Sequence, residues 1–430
     1  EEHNMLSDGL KYQDSRMATC EEMKQDLAPF ALHDAAAKSK GGPVLLRDGD
    51  TVYTDPSDSH SLIVGDTGSM KTLRFVLPLI YSCAAADESM VIVDPKGELA
   101  RKSESFLSAK GYKTVIINMR DPQRSPDTWN PMGVIEREYK SGEEGQQKAV
   151  LQLNDMLNDI FFRRVDTKDP YWNESAGQLA LGICLLLLAL GEKLNMKNLL
   201  KWRYEKLADG TLDKCFRNLP TDGEIYQNLA GYLGMTAENT KSCIRSTFDQ
   251  LVRVFKSAPA LTEMLNDTSF DIERIGEAKA AVFVVIPDEK TTFHFLATLF
   301  ISQCYTTLLE TAERHGGSLP RRTNIILEEF CNLPALGDIV PMITAARSRN
   351  IRLHMVIQSY GQLVEKYGEN VSRAILDNCG NMVYQQTCGE QRVRKTVDFN
   401  IASAKAAKKR NHYLPRQMLP VSCGRCSADF

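Results

Sequence analysis

Short runs of apolar, largely β-branched residues are separated by helical segments in the first and last parts of the chain. The runs predict strands at residues 61–64, 89–94, 114–118, 280–287, 323–330, 352–359 and 382–386. Continuous apolar strands joined through helices are typical of a parallel sheet that is covered on both faces. Ligands of such sheets bind at the carboxyl ends of the strands, where Asp94, Lys96 and Asn118 lie in this sequence.

The middle of the chain has a different pattern. From about residue 131 to residue 274, strand-like runs disappear and apolar residues follow helical spacing. Upstream, Asp48-Gly49 predicts a hairpin over residues 44–54, because this pair favours the positive φ angles of a tight turn. We therefore predict an α/β fold with an inserted all-α domain. The predicted parts are an N-terminal segment, the first part of the α/β domain, the insertion and the second part of the α/β domain, at residues 1–40, 41–130, 131–274 and 275–430.

Composition narrows the choice of partners and compartment. The 430 residues carry 52 basic and 55 acidic side chains, so the net charge of −3 gives no overall attraction to nucleic acid, and any DNA contact must be local. The odd number of cysteines, 11, and the lack of a secretory signal indicate a reducing cytosol. The isolated pair Cys423 and Cys426 cannot fill a four-ligand zinc site, so we assign it no metal or redox role.

The most apolar run, residues 179–190, bears on membrane insertion. It is shorter than the roughly 20 apolar residues that a membrane-spanning helix needs, and Gln178 and Glu192 flank it. We predict a buried core helix and no membrane span in the given chain, which could still be the soluble part of a longer protein.

Chemistry-bearing residues concentrate directly after the first predicted strand of the sheet. This segment reads Gly65-Asp66-Thr67-Gly68-Ser69-Met70-Lys71-Thr72. It matches the phosphate-loop pattern G-x-x-x-x-G-K-[ST] except at Met70, where glycine is expected. In such a loop, backbone N–H groups and the following helix N-terminus cradle a phosphate. Lys71 would reach the β- and γ-phosphates, and the Thr72 hydroxyl would bind Mg²⁺.

Met70 decides whether this loop is functional. Glycine permits positive φ or close approach of the backbone to phosphate, whereas a methionine in a left-handed conformation costs about 1 kcal/mol or more. The loop is either competent, with the Met70 side chain pointing away from the nucleotide, or a relic that binds none. We favour a competent loop because Gly65, Gly68, Lys71 and Thr72 are all present.

Two adjacent carboxylates, Glu328 and Glu329, end the predicted strand that begins at residue 323. Because neighbouring residues on a strand point to opposite sides, the two can take different roles. Glu328 would contact the metal, usually through water, and Glu329 would polarise the water that attacks the nucleotide. The alternative is a solvated surface pair, and the upstream phosphate loop makes the functional interpretation the better one.

Three further polar residues follow this strand. Gln358 ends the next strand and could sense the γ-phosphate or the attacking water, or could simply make turn hydrogen bonds. Arg347 and Arg349 end the intervening helix, where surface cations are also favourable. We favour the interpretation that they are arginine fingers inserted into a neighbouring subunit's site, because an arginine within the same subunit is hard to place.

A series of sequence blocks accompanies the loop, in a fixed order, up to about residue 390. The blocks are DSH at 58–60, VDPKGEL at 93–99, RDP at 120–122, WNP at 129–131, DPYWNESA at 169–176, LEEFCNLP at 327–334, ARSRNIR at 346–352 and IQSYGQL at 357–363. Together they resemble the coupling proteins of type IV secretion and bacterial conjugation, the TraG-like conjugal transfer ATPases. The sequence departs from that family at Met70 and Glu328, where glycine and aspartate are usual, which bears on the rate of hydrolysis more than on nucleotide binding.

The resemblance implies a RecA-like P-loop NTPase domain with a largely parallel sheet and an inserted all-α domain. It implies ATP and Mg²⁺ as cofactors and a ring, often hexameric. Hydrolysis would drive or license transfer of single-stranded DNA with its attached relaxase, or of protein cargo, into the secretion channel. The all-α domain would dock the cargo and the relaxosome. An N-terminal anchor, absent here, would hold the protein at the cytoplasmic face of the bacterial inner membrane.

Two functions compete at this point. In the first, the chain is a motor in which Lys71, Thr72, Glu328 and Glu329 act in one subunit while an arginine reaches in from the next. In the second, the chain is a receptor without hydrolysis, whose all-α domain docks cargo and whose motor fold is a scaffold. A chromosome-segregation or other DNA translocase is less favoured, because the sequence blocks are those of coupling proteins.

Overall fold

The computed structural model describes residues 19–31, 38–162, 170–287, 293–385 and 418–420. Within them the strands are β1 Ala28–Ala31, β2 Val44–Asp48, β3 Thr51–Thr54, β4 His60–Gly65, β5 Ser89–Asp94, β6 Lys113–Asn118, β7 Ala280–Val285, β8 Thr323–Leu327, β9 Ile351–Ile357, β10 Cys379–Gln385 and β11 Met418–Pro420. Cys423 and Cys426 lie outside the described residues.

The helices divide into three groups along the chain. Those before the insertion are α1 Cys20–Asp26, α2 Leu77–Ala85 and α3 Glu98–Ala109. The middle group is α4 Gly133–Tyr139, α5 Glu143–Phe162, α6 Tyr171–Ala189, α7 Met196–Lys201, α8 Thr211–Arg217, α9 Glu224–Leu233, α10 Glu238–Leu251, α11 Arg253–Ser257 and α12 Pro259–Met264. The last three are α13 His294–Arg314, α14 Ile339–Ala346 and α15 Tyr360–Asn378.

The strands form two sheets. The larger has the order β11-β10-β4-β9-β8-β5-β7-β6, and each neighbouring pair in it is parallel. The smaller is antiparallel, with the order β1-β3-β2, and it contains the hairpin that Asp48-Gly49 predicts. The predicted parallel sheet is therefore present, although its strand order could not be deduced from the sequence pattern.

Both faces of the large sheet are covered. Along β4, Leu62 and Val64 belong to a core that they share with α6 and α13, whereas Ile63 between them packs with residues of α2 and α3. All residues of β4, β5, β7, β8 and β9 are buried. Burial on both faces explains why the central residues of these strands are mostly apolar on both faces and do not alternate between apolar and polar.

The middle of the chain is helical, and no strand occurs among its described residues between 133 and 264. α6 carries the most apolar run and is, within the described ranges, the helix long and apolar enough to cross a membrane. However, 72% of its apolar window is buried inside the protein. A Cβ on Gly182 would come within 2.7 Å of Leu229 on α9, so these two helices pack closely. The predicted core helix is confirmed, while the domain boundaries at 131 and 274 stay predictions.

Buried polar side chains connect the strands at the amino edge of the sheet. Arg352 on β9 is 1% exposed, pairs with Glu88 just before β5, and donates from Nε to Asn324 Oδ1 on β8 at 3.0 Å. The His354 ring contacts the same Asn324 oxygen at 3.1 Å, and burial holds the pKa of this imidazole well below its usual range. Hydrogen bonds to these groups limit the desolvation cost of the buried ion pair. The resulting network connects β9 and β8 with the residue just before β5.

The carboxyl edge of the sheet brings distant parts of the sequence together. Because β4, β9, β8 and β5 are adjacent and parallel, their ends place four segments side by side. These are the loop at 65–72 after β4, Gln358 after β9, Glu328 and Glu329 after β8, and Asp94 at the end of β5. The order of the strands therefore brings the residues of the candidate site together.

Candidate functional site

The loop between β4 and α2 turns tightly back on itself. It leaves the sheet at Gly65 and passes through Gly68 at a φ of 84°, in the left-handed region that glycine adopts without strain. Ser69 N donates to Asp66 O at 3.1 Å and closes the turn. The first helical turn, Thr72–Val76, is wound as a π-helix ahead of α2, and such turns are frequent at functional sites.

Met70 adopts the left-handed backbone conformation that the glycine of the phosphate-loop pattern would adopt without strain. Its φ is 61°, and 52% of its surface is exposed. Its carbonyl still accepts the N–H of Arg74 at 2.8 Å, so the helix begins normally. A non-glycine residue in this conformation costs about 1–2 kcal/mol. The substitution therefore leaves the shape of the loop in place at an energetic cost.

This strain gives a direct expectation for stability. Met70→Gly should have a free energy of unfolding about 1 kcal/mol higher than Met70→Ala, because only glycine reaches positive φ without a steric penalty. Denaturant unfolding of both variants beside the unmodified protein measures the difference. Alanine is the matched control, since it removes the same side chain but keeps the strain. If Met70→Ala is instead the more stable variant, by the roughly 0.4–1 kcal/mol that the larger backbone entropy of unfolded glycine costs, the backbone at this position is not strained.

Lys71 lies at the base of the loop and is 8% exposed. Its Nζ donates to the Gly65 carbonyl and, at 3.1 Å, to the Asp66 carbonyl. Burial lowers the pKa of this ammonium, and the carboxylates of Glu329, Glu328 and Asp66 counteract that effect. The positive charge is thus held inside the loop by neutral carbonyl oxygens.

Thr72 and Glu328, the two predicted metal ligands, are in direct contact. The Thr72 hydroxyl donates to Glu328 Oε1, although the residues are 256 positions apart. Burial raises the pKa of Glu328 to about 7, the Thr72 hydrogen bond opposes this shift, and the charge of Asp94 adds to it. Hydroxyl and carboxylate oxygens are ligands that Mg²⁺ accepts alongside water and substrate phosphates.

Glu329 diverges from Glu328 because of a turn and not because of strand alternation. β8 ends at Leu327, so both carboxylates lie in a turn rather than on the strand. Glu329 has a φ of 54°, in the left-handed region. Its side chain meets Gln358, whose Nε2 donates to Glu329 Oε2 at 3.0 Å. The two side chains do separate as expected, but the explanation by strand alternation is wrong.

Gln358 connects the loop with this carboxylate. Its Oε1 accepts hydrogen bonds from Thr67 Oγ1 at 3.4 Å and from Gln362 Nε2 at 3.2 Å. Asn332 Nδ2 donates to the same Glu329 oxygen as Gln358 does, at 3.4 Å. Thr67, Gln358 and Glu329 are site residues that the sequence predicts. Asn332, which follows β8, and Gln362, on α15, contact them and were not predicted.

Asp94 closes the site on the β5 side. It is completely buried, and its Oδ1 and Oδ2 accept the N–H groups of Glu98 and Ala100 at 3.1 and 3.0 Å. Burial raises the pKa of this carboxyl, and hydrogen bonds from the α3 backbone counteract the shift. Asp94 therefore braces the start of α3 and adds a negative charge close to Glu328.

The structure does not bring Arg347 and Arg349 to this site. They form a short turn after α14, at the amino edge of the sheet, just before β9 begins. Burial lowers the pKa of His60 at the start of β4 to about 4, and the nearby charge of Arg347 contributes. Within one subunit the two arginines are thus separated from Lys71 by the length of β4.

Comparison with known proteins identifies relatives across most of the chain. A family profile described as "Type IV secretory system Conjugative DNA transfer" matches residues 11–392. Conjugal transfer protein TraG of Rhizobium radiobacter is 23% identical over 350 residues, and TraG of Agrobacterium fabrum strain C58 is 22% identical over 349 residues. Each match covers 79% of this chain but 51% and 50% of the two relatives. The chain thus spans about half the length of the curated relatives it matches.

Solved structures share the fold. The bacterial conjugative coupling protein TrwBdeltaN70, unbound, has a TM-score of 0.56 at 17% identity, covering 91% of this chain and 83% of that one. TrwB in complex with the ATP analogue ADPNP gives 0.56 at 16% identity, covering 91% and 85%. The predicted RecA-like fold with an all-α domain is thereby confirmed. Since the profile spans most of the sequence, the chain belongs to the type IV secretory system conjugative DNA transfer family, as its sequence blocks predict.

Proposed function

We propose that this chain is an ATP-hydrolysing coupling protein of conjugative DNA transfer. The observation that carries the proposal is the meeting of Lys71, the Thr72–Glu328 pair and the Glu329–Gln358 pair at one edge of the sheet. Nucleotide hydrolysis needs a phosphate cradle, a metal ligand and a group that orients the attacking water. These side chains can supply all three.

The loop fits the phosphates of a nucleotide. The Ser69 hydroxyl is buried there and has no hydrogen-bond partner among the described residues. Lys71 points its ammonium at carbonyls of the loop itself. Phosphate oxygens would give both groups charged acceptors, which make stronger hydrogen bonds than neutral ones. The related TrwB has been solved with ADPNP and with ADP and Mg²⁺, which supports ATP and Mg²⁺ as ligands of this chain.

Each side chain then has a distinct task. Thr72 and Glu328 would hold Mg²⁺, which when bound neutralises charge on the phosphates. Within the described ranges, no group of three or more His, Cys, Asp or Glu side chains forms a metal site, in keeping with a metal shared with substrate phosphates. Lys71 binds phosphate oxygens. Glu329 accepts a proton from the attacking water, and Gln358 orients that water and Glu329.

The positive charge for the transition state would come from a second copy of the chain. Arg347 is exposed and Arg349 partly exposed at the edge of the sheet opposite the loop. A head-to-tail contact between copies would place this edge of one subunit against the carboxyl edge of the next, and repetition of such a contact closes a ring. We therefore retain Arg347 and Arg349 as fingers acting between subunits, in a ring of hexamer type.

The cargo and location follow from family membership as proposals. The chain would recruit single-stranded DNA with its relaxase, or protein cargo, through the all-α domain and pass it to the type IV secretion channel. It would work at the cytoplasmic face of the bacterial inner membrane. The curated relatives are about twice as long as the matched region, so membrane attachment and relaxosome contacts are properties of the whole protein that need separate tests.

A receptor with poor hydrolysis is the second candidate, and two observations favour it. Met70 strains the loop, and burial raises the pKa of Glu328 to about 7. Burial thus opposes the ionised form in which a carboxyl binds a metal. In this case the chain would bind nucleotide with little turnover, and its main function would be the docking of cargo by the all-α domain.

The assembled state provides the test of the motor. ATP turnover per subunit, measured with Mg²⁺ and single-stranded DNA, should rise with protein concentration as rings form. Arg347→Ala or Arg349→Ala should lower it at least about tenfold, since fingers stabilise transition-state charge. Arg101→Ala, on the exposed face of α3, is the control and should behave like the unmodified protein. Absence of turnover in an assembled oligomer would refute the motor. Full turnover in both finger variants would refute only the fingers.

A further inference from the structure

The start of α15 contains a glutamine whose side chain is used in an unexpected way. Ser359 is the N-cap, and its Oγ accepts the N–H of Gln362 at 3.3 Å. In the sequence pattern S-x-x-Q, the glutamine side chain normally returns to the N-cap backbone and forms a capping box. α1 shows that arrangement, with Glu22 Oε2 accepting Thr19 N at 2.8 Å. In α15 the Gln362 side chain instead donates to Gln358 Oε1 at 3.2 Å.

This contact restrains the Gln358 amide, whose other end meets Glu329. With Oε1 facing the Gln362 amide nitrogen, Nε2 of Gln358 faces Glu329 and donates to it at 3.0 Å. A flipped amide would set its oxygen against the Glu329 carboxylate, which can only accept hydrogen bonds. Thr67 and Gln362 do not discriminate between the two orientations, because a hydroxyl and an amide can each donate or accept. Glu329 therefore sets the orientation, and the hydrogen bond from Gln362 restrains the amide in that position.

The Gln358 amide in turn restrains Glu329. Oε2 of Glu329 accepts from Gln358 at 3.0 Å and from Asn332 at 3.4 Å. Within the described part of the chain no hydrogen bond uses Oε1, so this oxygen remains for a proton-accepting role. Restraint of one oxygen by two amides holds the other in a constant direction, and catalytic groups act well only when they are held close to the productive geometry.

We propose that Gln362 is a positioning residue, which fixes the Gln358 amide and through it aims Glu329 at the attacking water. The inference rests on the proposed ATP hydrolysis and adds to it a residue on α15 that does not touch the nucleotide loop. Thr67 belongs to the loop that must adapt to phosphates, and its hydrogen bond is the longer of the two to Gln358 Oε1, 3.4 Å against 3.2 Å. Gln362 lies on α15 and not on the loop at 65–72, so its hydrogen bond to Gln358 does not require a particular conformation of that loop.

Gln362→Met tests this role, because methionine keeps the length and helix propensity of glutamine and removes the donor. We expect kcat for ATP to fall about 3–10-fold, the effect of one lost hydrogen bond, while KM and the thermal unfolding midpoint stay close to those of the unmodified protein. In Gln358→Met the amide is already gone, so adding Gln362→Met should lower kcat no further. Glu365→Gln, exposed one turn further along α15, is the control and should leave kcat unchanged.

The outcomes separate cleanly. An unchanged kcat in Gln362→Met, or a fall in kcat explained by a lower unfolding midpoint, overturns the positioning role. Losses that multiply in the double variant overturn it as well, since Gln362 would then act independently of Gln358. In each of these cases the unmodified protein still hydrolyses ATP and the proposed function stands. Absence of turnover in the unmodified protein removes the proposed function, and this inference with it.

Discussion

Glu329→Gln should lower ATP turnover about 10²–10⁴-fold, the contribution typical of a general base. Glutamine keeps the size of the side chain, and its carbonyl oxygen can still accept the amides of Gln358 and Asn332. What it loses is the ability to take a proton from water. The expected signature is a fall in kcat with little change in nucleotide affinity, because the interaction is made with the attacking water and not with bound nucleotide.

Phosphate release measures turnover of this variant, and binding of a fluorescent nucleotide measures affinity. Glu104→Gln, an exposed position on α3, is a matched charge-removing control that should keep full activity. If Glu329→Gln turns over at an undiminished rate, the carboxylate has no part in catalysis. Equal loss of affinity and rate would instead place Glu329 in nucleotide binding.

Lys71→Ala should abolish detectable turnover by a different route. Lys71 carries the one positive charge of the loop at 65–72. Its buried ammonium lies at the base of the loop, where the phosphates are expected. Charge-assisted hydrogen bonds contribute about 1.5–3 kcal/mol each, so nucleotide affinity should fall roughly 10–100-fold. Among the described residues Lys71 donates hydrogen bonds to the Gly65 and Asp66 carbonyls, and the desolvation of its buried charge offsets what these bonds and the nearby carboxylates contribute. We therefore expect the free energy of unfolding without nucleotide to change little.

Lys71→Ala and Glu329→Gln together distinguish binding from chemistry. The same nucleotide titration should detect weak binding in the lysine variant and normal binding in the glutamate variant. Lys102→Ala, exposed on α3, controls for loss of a positive charge. Retention of nucleotide affinity in Lys71→Ala would mean that nucleotide does not bind in the loop at 65–72, and the proposed function would fail at its first step.

The sheet could be predicted because its strands are buried on both faces. Every residue in β4 and β5 is buried, so both strands contain uninterrupted runs of Leu, Ile or Val, which are unusual in exposed segments. The order of the strands could not be predicted, because apolar periodicity reports local burial and not which strand lies next to which. The same limit applies to the contact between Thr72 and Glu328, which depends on that order.

The site was predicted where a residue type and a fixed spacing coincide. The loop at 65–72 has its glycines, lysine and threonine at set intervals, and the strain at Met70 follows from that pattern. Gln362 escaped prediction because its spacing from Ser359 indicates a helix cap, and only the folded chain shows the side chain turned to Gln358. The left-handed turn at Glu329 could not be predicted from the sequence for a similar reason. Glutamate has no preference for positive φ, so the surrounding structure must impose it.

Two of the four non-glycine residues with positive φ among the described residues, Met70 and Glu329, lie in the candidate site. At about 1–2 kcal/mol each, they hold a noticeable share of the 5–15 kcal/mol that typically separates folded from unfolded protein. Replacing either residue by glycine should therefore raise the free energy of unfolding. At position 70 the gain is compatible with the family's usual glycine, whereas at position 329 it would remove the proposed base.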